Sequence, residues 1–295
     1  MSFQPKGIVP AMVTPITSDG KINVEALRKL TRYLIAGGVH GLFPVGSQGE
    51  FYALTFEEKK KVIETVVEET RGRVPVYAGT GAITTREAVA LTQMAESAGV
   101  AAVSVLTPYF IHPNENELFE FYSAVAKSTR LPVLLYNNPG RTGVNLSANF
   151  VVRASSIDNI VGIKDSSGDL TLTAEYIRRT DKTFSVLAGR DTLIYGTLCY
   201  GGKGAIAATA NVAPRVIVEI YEAFMAGDMK RSLEAQFRLA PLRLAFELGT
   251  FPVVIKEALN LIGIEAGVGI SPVGGIKPQA KDELKKILNE MRLVN

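Results

Sequence analysis

The chain has 295 residues, 47% hydrophobic and 21% charged, an ordinary balance for a folded globular protein. The net charge of +3 comes without a Lys/Arg run, which argues against a nucleic-acid partner, and the single cysteine, Cys199, excludes an intramolecular disulfide. His40 and His112 are too few for a His-rich metal centre, and no apolar stretch reaches the ~18 residues of a membrane span. Residues 1–6 lack a basic stretch followed by an apolar one, so no signal peptide is read, and a cytoplasmic protein working without a metal is expected.

Short apolar, often β-branched runs recur at residues 8–13, 41–45, 74–78, 102–106, 132–136, 160–163, 185–188 and 204–207. Between them lie stretches with helical periodicity. In 24–35, Val24, Leu27, Leu30 and Leu34 form one stripe, and Thr55 with Glu58 makes a capping box opening 56–70. Residues 85–98, 115–126, 146–154, 171–180 and 192–200 continue the pattern. Alternation of eight strand-like runs with helices predicts parallel strands and crossover helices, and about 225 residues of it fit a closed (β/α)8 TIM barrel. A doubly wound open sheet would carry G-x-G-x-x-G after its first strand, where this chain has Thr14-Pro15. Residues 226–295 hold no strand pattern and predict helices at 229–248, 253–261 and 277–291, with Pro278 in the first turn of the last. They are expected to pack on the 1–225 barrel as one functional unit.

Barrel enzymes keep their chemistry at the C-terminal ends of the strands, which reduces the chain to a few segments. These are Gly46-Ser47-Gln48-Gly49-Glu50, Thr107-Pro108-Tyr109-Phe110, Tyr136 to Gly143, Gly162 to Asp169, and Gly189-Arg190-Asp191. Lys164 closes an apolar strand. Its amine either enters the barrel mouth, where desolvation favours a neutral nucleophile able to form a Schiff base, or simply reaches water. Tyr136 closes the neighbouring strand as a proton shuttle or as a core tyrosine. Ser47 sits in a Gly-flanked turn whose N–H groups and hydroxyl suit an anion and a proton relay, although such turns are also common plain loops. Arg141 could grip a carboxylate in a bidentate fork or lie solvated in its loop. Gly201-Gly202-Lys203-Gly204 precedes the last strand and so falls at the opposite end of the barrel. Cys199 lies in an apolar helical stretch and is expected in the core, and His40 starts a strand away from the chemistry. Together, an amine, a phenol and a hydroxyl across one mouth form a Schiff-base site that needs no metal.

The same residues carry a family resemblance along essentially the whole chain. Val13-Thr14-Pro15, Gly46-Ser-x-Gly-Glu50, Gly79-Thr-Gly81, Pro108-Tyr109, Tyr136-Asn-x-Pro139, Gly162-Ile-Lys-Asp165 and Thr209-Ala-Asn-Val212 occur in order. The chain thereby resembles the dihydrodipicolinate synthase / N-acetylneuraminate lyase family of class I aldolases. The resemblance implies an imine between Lys164 and pyruvate or another 2-oxo acid, with no other cofactor. It makes Tyr136 the proton shuttle and Ser47 the relay hydroxyl. The N–H groups of Ser47 and Gln48 would hold the carboxylate, and the Ile206 carbonyl would line the pocket. It also implies a homotetramer built as a dimer of dimers.

Arg141 matches the position where synthases of this family bind the carboxylate of the second substrate, so a synthase-like condensation of pyruvate with an aldehyde leads. Three departures keep open the cleavage of a 2-keto-3-deoxy sugar acid or a 4-hydroxy-2-oxo acid. Phe110 stands where synthases donate a relay tyrosine across a dimer contact, and Gln48 replaces the second hydroxyl of the turn. The Lys-Asp-Ser-Ser-Gly-Asp run, where Glu often follows the lysine in synthases, occurs widely in aldolase-type relatives. The positions of the allosteric lysine pocket fall at Phe51, Tyr52, Ile83 and Glu87, of which Glu87 alone keeps its type. A non-catalytic barrel that binds 2-oxo acids needs neither Lys164 nor Tyr136. A sugar-phosphate barrel expects a Gly-rich anion loop, where this chain has Gly189-Arg190-Asp191 and Thr209-Ala210-Asn211.

Overall fold

The computed structural model describes residues 3–294. Seven strands, β1 (Gly7–Pro10), β2 (Tyr77–Gly79), β3 (Ala102–Leu106), β4 (Val133–Asn137), β5 (Ile160–Asp165), β6 (Ser185–Ala188) and β7 (Gly204–Ala207), form one sheet in the order β1-β7-β6-β5-β4-β3-β2. Every neighbouring pair is parallel, as crossover helices require.

The two edges of this sheet are bridged by residues 40–44, where a regular strand was predicted. On one side Phe43 N donates to Pro10 O at 2.9 Å and Met12 N to Phe43 O at 2.9 Å. On the other, Leu42 N donates to Pro75 O at 3.0 Å and Tyr77 N to Leu42 O at 2.8 Å. The segment thus fills the eighth position and closes the barrel through isolated parallel bridges, Ala11 to Phe43 and Leu42 to Val76. It cannot extend into a ladder because Pro44 has no N–H and Val45 adopts a left-handed φ of 58°.

Alternation along the strands sorts side chains into two cores. Val9, Ala11, Phe43, Tyr77, Ala102, Leu134, Leu187 and Ile206 fill the barrel interior. Ile8, Val103, Val105, Leu135, Ile163, Val186 and Ala205 face the surrounding helices. By the same period of two, Tyr136 follows Leu134 inward while Asn137 follows Leu135 outward.

Most helices begin where local capping chemistry predicts. The helix Phe56–Thr70 carries the Thr55–Glu58 capping box, with Glu58 N donating to Thr55 Oγ1 at 3.2 Å and Thr55 N to Glu58 Oε2 at 2.8 Å. Two helices go beyond the sequence reading. Pro139–Thr142 is a single turn inside a predicted loop, and Pro214–Met225 starts on a proline at a tolerated position. The β-branched run Val216-Ile217-Val218 blurs the helical period of the latter. The predicted 229–248 helix is Met229–Leu244, followed by a tighter turn at Ala245–Leu248, with Pro241 interrupting its hydrogen-bond ladder.

Of the C-terminal helices Met229–Leu244, Val253–Leu261 and Pro278–Glu290, the first two reach the mouth of the barrel, through Arg243 and through Val254 and Ile255. Gln236 donates to Asp191 O at 2.9 Å and accepts from Tyr195 N at 3.0 Å, while Ser232 Oγ donates to Ile220 O at 2.6 Å. Cys199, expected in the core, is exposed: Ile194 and Leu198 take the inward face of the short helix Ile194–Cys199, and the next residue turns away by about 100°. Gly204 lies at the far end of the barrel from Lys164, where a Cβ would meet Gly7 O at 2.1 Å, which explains the glycine there without any ligand. Among the described residues no helix is long and apolar enough to cross a membrane.

Candidate active site

Tyr136 and Lys164 are register partners near the C-terminal ends of β4 and β5, both pointing into the barrel and both 4% exposed. Lys164 Nζ lies 4.1 Å from the centre of the Tyr136 ring and 5.1 Å from that of Phe43. Behind them, on the outer face, the next register pair is polar. Asn137 Nδ2 donates to Asp165 Oδ1 at 3.1 Å and to Asn145 Oδ1 at 2.9 Å, and Asn137 Oδ1 accepts from Leu146 N at 3.0 Å. Asp165 also accepts from Thr173 Oγ1 at 2.6 Å and Ser167 Oγ at 3.0 Å. These bonds pin both strand ends, so the amine and the phenol inherit a fixed separation.

The Tyr136 hydroxyl accepts from Asn138 Nδ2 at 3.0 Å and lies 3.5 Å from Ser47 Oγ. Burial alone would push the phenol up. The neighbouring Lys164 ammonium and the hydrogen bonds from Ser47, Lys164 and Asn138 outweigh it and hold the pKa below the ordinary tyrosine value.

Ser47 belongs to a one-turn 3-10 helix, Ser47–Gly49, entered through Gly46. Among the described residues the N–H groups of Ser47 and Gln48 make no hydrogen bond and are free for an incoming anion. The turn is tied down by Thr14 Oγ1, which donates to Gly49 O at 2.7 Å. Gln48 is 3% exposed and its amide nitrogen has no partner among the described residues.

Ser47, Gln48, Tyr136, Arg141, Lys164 and Ile206, far apart in the sequence, line one cavity of about 240 Å3 at the C-terminal end of the barrel. Arg141, in the turn Pro139–Thr142, stacks over the Phe251 ring at 4.4 Å. The sequence reading missed several neighbours. Asn138 lies within the strand-end segment Tyr136 to Gly143, as the unspecified position of Tyr136-Asn-x-Pro139, and carried no role. Arg190 and Asp191 stood in the strand-end segments without a role. Arg243, Phe246 and Phe251 had no sequence signal at all, because nothing local places residues 243–251 on the mouth.

Other residues singled out in the sequence lie elsewhere. His40 accepts from Ile8 N at 3.1 Å and pairs with Glu222 at 2.7 Å at the opposite end. Phe110 projects from the barrel, 91% exposed with a left-handed φ of 73°. Phe51 is buried and packs edge-on against Tyr109 at 5.7 Å.

A primary amine, a phenol of lowered pKa, a hydroxyl and two free backbone N–H groups around one cavity suit the condensation of the amine with a carbonyl whose carbon bears a carboxylate. The model of the dihydrodipicolinate synthetase family matches residues 4–291. The chain is 42% identical over 287 residues to a Methanothrix thermoacetophila protein named 4-hydroxy-tetrahydrodipicolinate synthase, covering 97% of each. It superposes on the dihydrodipicolinate synthase of Thermotoga maritima with a TM-score of 0.96 at 31% identity, covering 99% of this chain and 100% of the other. A prophage protein of E. coli K12 from the dihydrodipicolinic acid synthase family, solved in complex with pyruvate, gives a TM-score of 0.94 at 35% identity over 98% of this chain and 99% of its own.

Proposed function

The chain belongs to the dihydrodipicolinate synthetase family, and from there we propose that it is a Schiff-base-forming lyase that condenses pyruvate with aspartate semialdehyde, as a 4-hydroxy-tetrahydrodipicolinate synthase does. The observation that carries this reading is the placement of Lys164 Nζ 4.1 Å from the ring of a phenol whose pKa that same ammonium lowers.

The pair exchanges one proton: the Tyr136 phenolate takes it from the Lys164 ammonium and leaves a free amine. The amine attacks C2 of pyruvate, whose carboxylate accepts from the N–H groups of Ser47 and Gln48 beside the Ile206 carbonyl. Tyr136 then returns its proton to the carbinolamine oxygen, which departs as water and leaves the iminium. The Tyr136 phenolate takes a C3 proton to give the enamine, whose C3 then attacks the aldehyde carbon. The new alkoxide is protonated through the Tyr136–Ser47 relay, and the acceptor's own amine or a water then displaces Lys164. Arg141 holds the acceptor carboxylate, and no dissociable cofactor takes part.

One observation favours a second reading within the same chemistry. Phe110 offers no hydroxyl, and its exposed ring extends no relay from this chain. Cleavage of a 2-keto-3-deoxy sugar acid or a 4-hydroxy-2-oxo acid, which runs the carbon–carbon step in reverse on the same imine, does not depend on one. The reading also includes a homotetramer in the cytoplasm: a fully projecting phenylalanine is the kind of surface that a subunit contact covers, and sedimentation tests it.

Borohydride reduction in the presence of pyruvate is expected to add one pyruvyl group at Lys164, and Lys164→Ala to abolish both the adduct and turnover. An unmodified Lys164 in an active preparation would overturn the proposal. A coupled assay of pyruvate with aspartate semialdehyde, glyceraldehyde, glyoxylate and N-acetylmannosamine separates the two readings.

A further inference from the structure

Beyond the residues that hold pyruvate and one carboxylate, the mouth of the barrel carries more positive charge than those steps use. The catalytic cavity opens into a second one of about 270 Å3, and the two share Gln48, Arg141, Arg190, Arg243, Phe246 and Phe251. Three guanidinium groups therefore border one continuous space, with Lys164 at its floor.

Each guanidinium is held by a partner that leaves its charge uncancelled. Arg141 lies over Phe251 at 4.4 Å, and Arg243 over Phe246 at 4.8 Å. Arg190 Nε donates to the Ser166 carbonyl at 3.1 Å, and among the described residues its two terminal nitrogens make no hydrogen bond. Its guanidinium also flanks the turn that bears Arg141: a Cβ on Gly140 would come within 4.0 Å of Arg190 Nη2. Among the described residues none of the three forms a salt bridge, although nine other arginine and lysine side chains at the surface do, Arg28 and Arg231 among them.

The acidic groups nearby do not neutralise them. The Asp191 carboxylate is buried and occupied by Thr209 N at 2.7 Å, Thr209 Oγ1 at 2.6 Å and Ala208 N at 3.3 Å. Glu247 lies on the exposed rim of the outer cavity. Arginine forks preset by stacking are well suited to oxyanions, because the planar donors are already oriented and lose little freedom on binding. One carboxylate engages one fork, so the mouth retains capacity for a further acidic group.

Building on the Schiff-base reading, we propose that Arg190 and Arg243, together with Arg141, form an anion subsite for a dianionic acid terminus of the acceptor or product. That terminus, a phosphate monoester or a pair of carboxylates, sits at the end remote from the reacting carbonyl carbon. The enzyme thereby accepts acidic substrates longer and more highly charged than an acceptor with a single carboxylate. The subsite binds the remote end of the molecule and takes no part in the bond-forming steps.

The test compares acceptors that differ in the terminal group alone. With pyruvate as donor, kcat/KM for glyceraldehyde 3-phosphate is expected to exceed that for glyceraldehyde by about 10- to 100-fold, the range for hydrogen bonds to a charged group. Arg190→Gln and Arg243→Gln should each reduce that ratio, chiefly through KM for the phosphorylated acceptor. Inorganic phosphate and malonate, titrated calorimetrically into enzyme whose pyruvyl adduct has been reduced in place, report which dianion is preferred; weaker binding to Arg190→Gln and Arg243→Gln supports the subsite. A wild-type ratio near one, or dianion binding indifferent to both substitutions, overturns it. Failure to trap pyruvate in the wild type would instead remove the Schiff-base reading, and the same titrations on unmodified enzyme with pyruvate present would still decide the subsite.

Discussion

Glu50 and Lys256 form an ion pair with no solvent exposure on either side chain, joining the turn that presents Ser47 and Gln48 to the C-terminal helix Val253–Leu261. Glu50 Oε1 also accepts from Ile270 N at 2.8 Å, and Lys256 Nζ donates to Val268 O at 2.7 Å. Glu50 itself takes a left-handed φ of 56°, so the turn ends in a conformation that the pair must hold. Burial pushes the Lys256 amine below its ordinary value despite the attraction of Glu50. Bringing both charges inside offsets much of their attraction, so the pair is better understood as positioning the anion-binding turn than as a source of stability.

Removing one partner leaves a buried charge alone. Lys256→Met is therefore expected to destabilise the fold by about 3–5 kcal/mol in chemical denaturation. The double substitution Glu50→Gln with Lys256→Met should recover part of that loss while raising KM for pyruvate, because the turn is no longer tethered. A single-variant loss under about 1 kcal/mol would show that the pair bears little on the fold.

Tyr136→Phe retains the ring over which Lys164 sits but removes the proton carrier. We expect kcat to fall by about 10²–10⁴-fold, the range for a lost general acid–base group. Borohydride trapping of pyruvate should still proceed, only more slowly. Normal turnover in this variant would assign the proton transfers to another group.

The lowered pKa of Tyr136 gives a pH signature. The folded protein should contain one tyrosine that ionises below about 10, the value for a free phenol, and Tyr136→Phe should remove that step from an ultraviolet titration. Because the folded pKa lies below the unfolded one, ionisation of Tyr136 adds stability that is complete above the unfolded value and lost as pH falls through the folded value. Lys164→Met deletes the principal opposing charge, burial then prevails, and the step should move upward in pH. A Tyr136 pKa that ignores Lys164→Met would contradict the electrostatic coupling between them.

L-lysine is expected not to inhibit the enzyme at millimolar concentration. Phe51, Tyr52 and Ile83 replace the small and polar lining that the family resemblance places there. Phe51 packs against both Tyr52 and Tyr109, at 5.9 and 5.7 Å, and Glu87 lies 3.8 Å from Lys59. Clear inhibition in an initial-rate assay would refute this reading of the loop.

Local sequence determined a good deal of this protein. The capping box at Thr55 and Glu58, the period-two runs of β3 to β7 and the placement of Lys164 and Tyr136 at strand ends all depend on residues a few positions apart. Short-range sterics and hydrogen bonding are written directly into such patterns. The tertiary structure decided what depends on segments distant in the chain. It closed the barrel through residues 40–44 although Pro44 prevents a regular strand there, and it turned Cys199 outward. It brought Arg243, Phe246 and Phe251 to the mouth beside Arg141 and Arg190, and it paired Glu50 with Lys256. Those contacts arise when the C-terminal helices dock on the end of the barrel, and the packing of whole elements leaves no periodicity in the residues that come to meet.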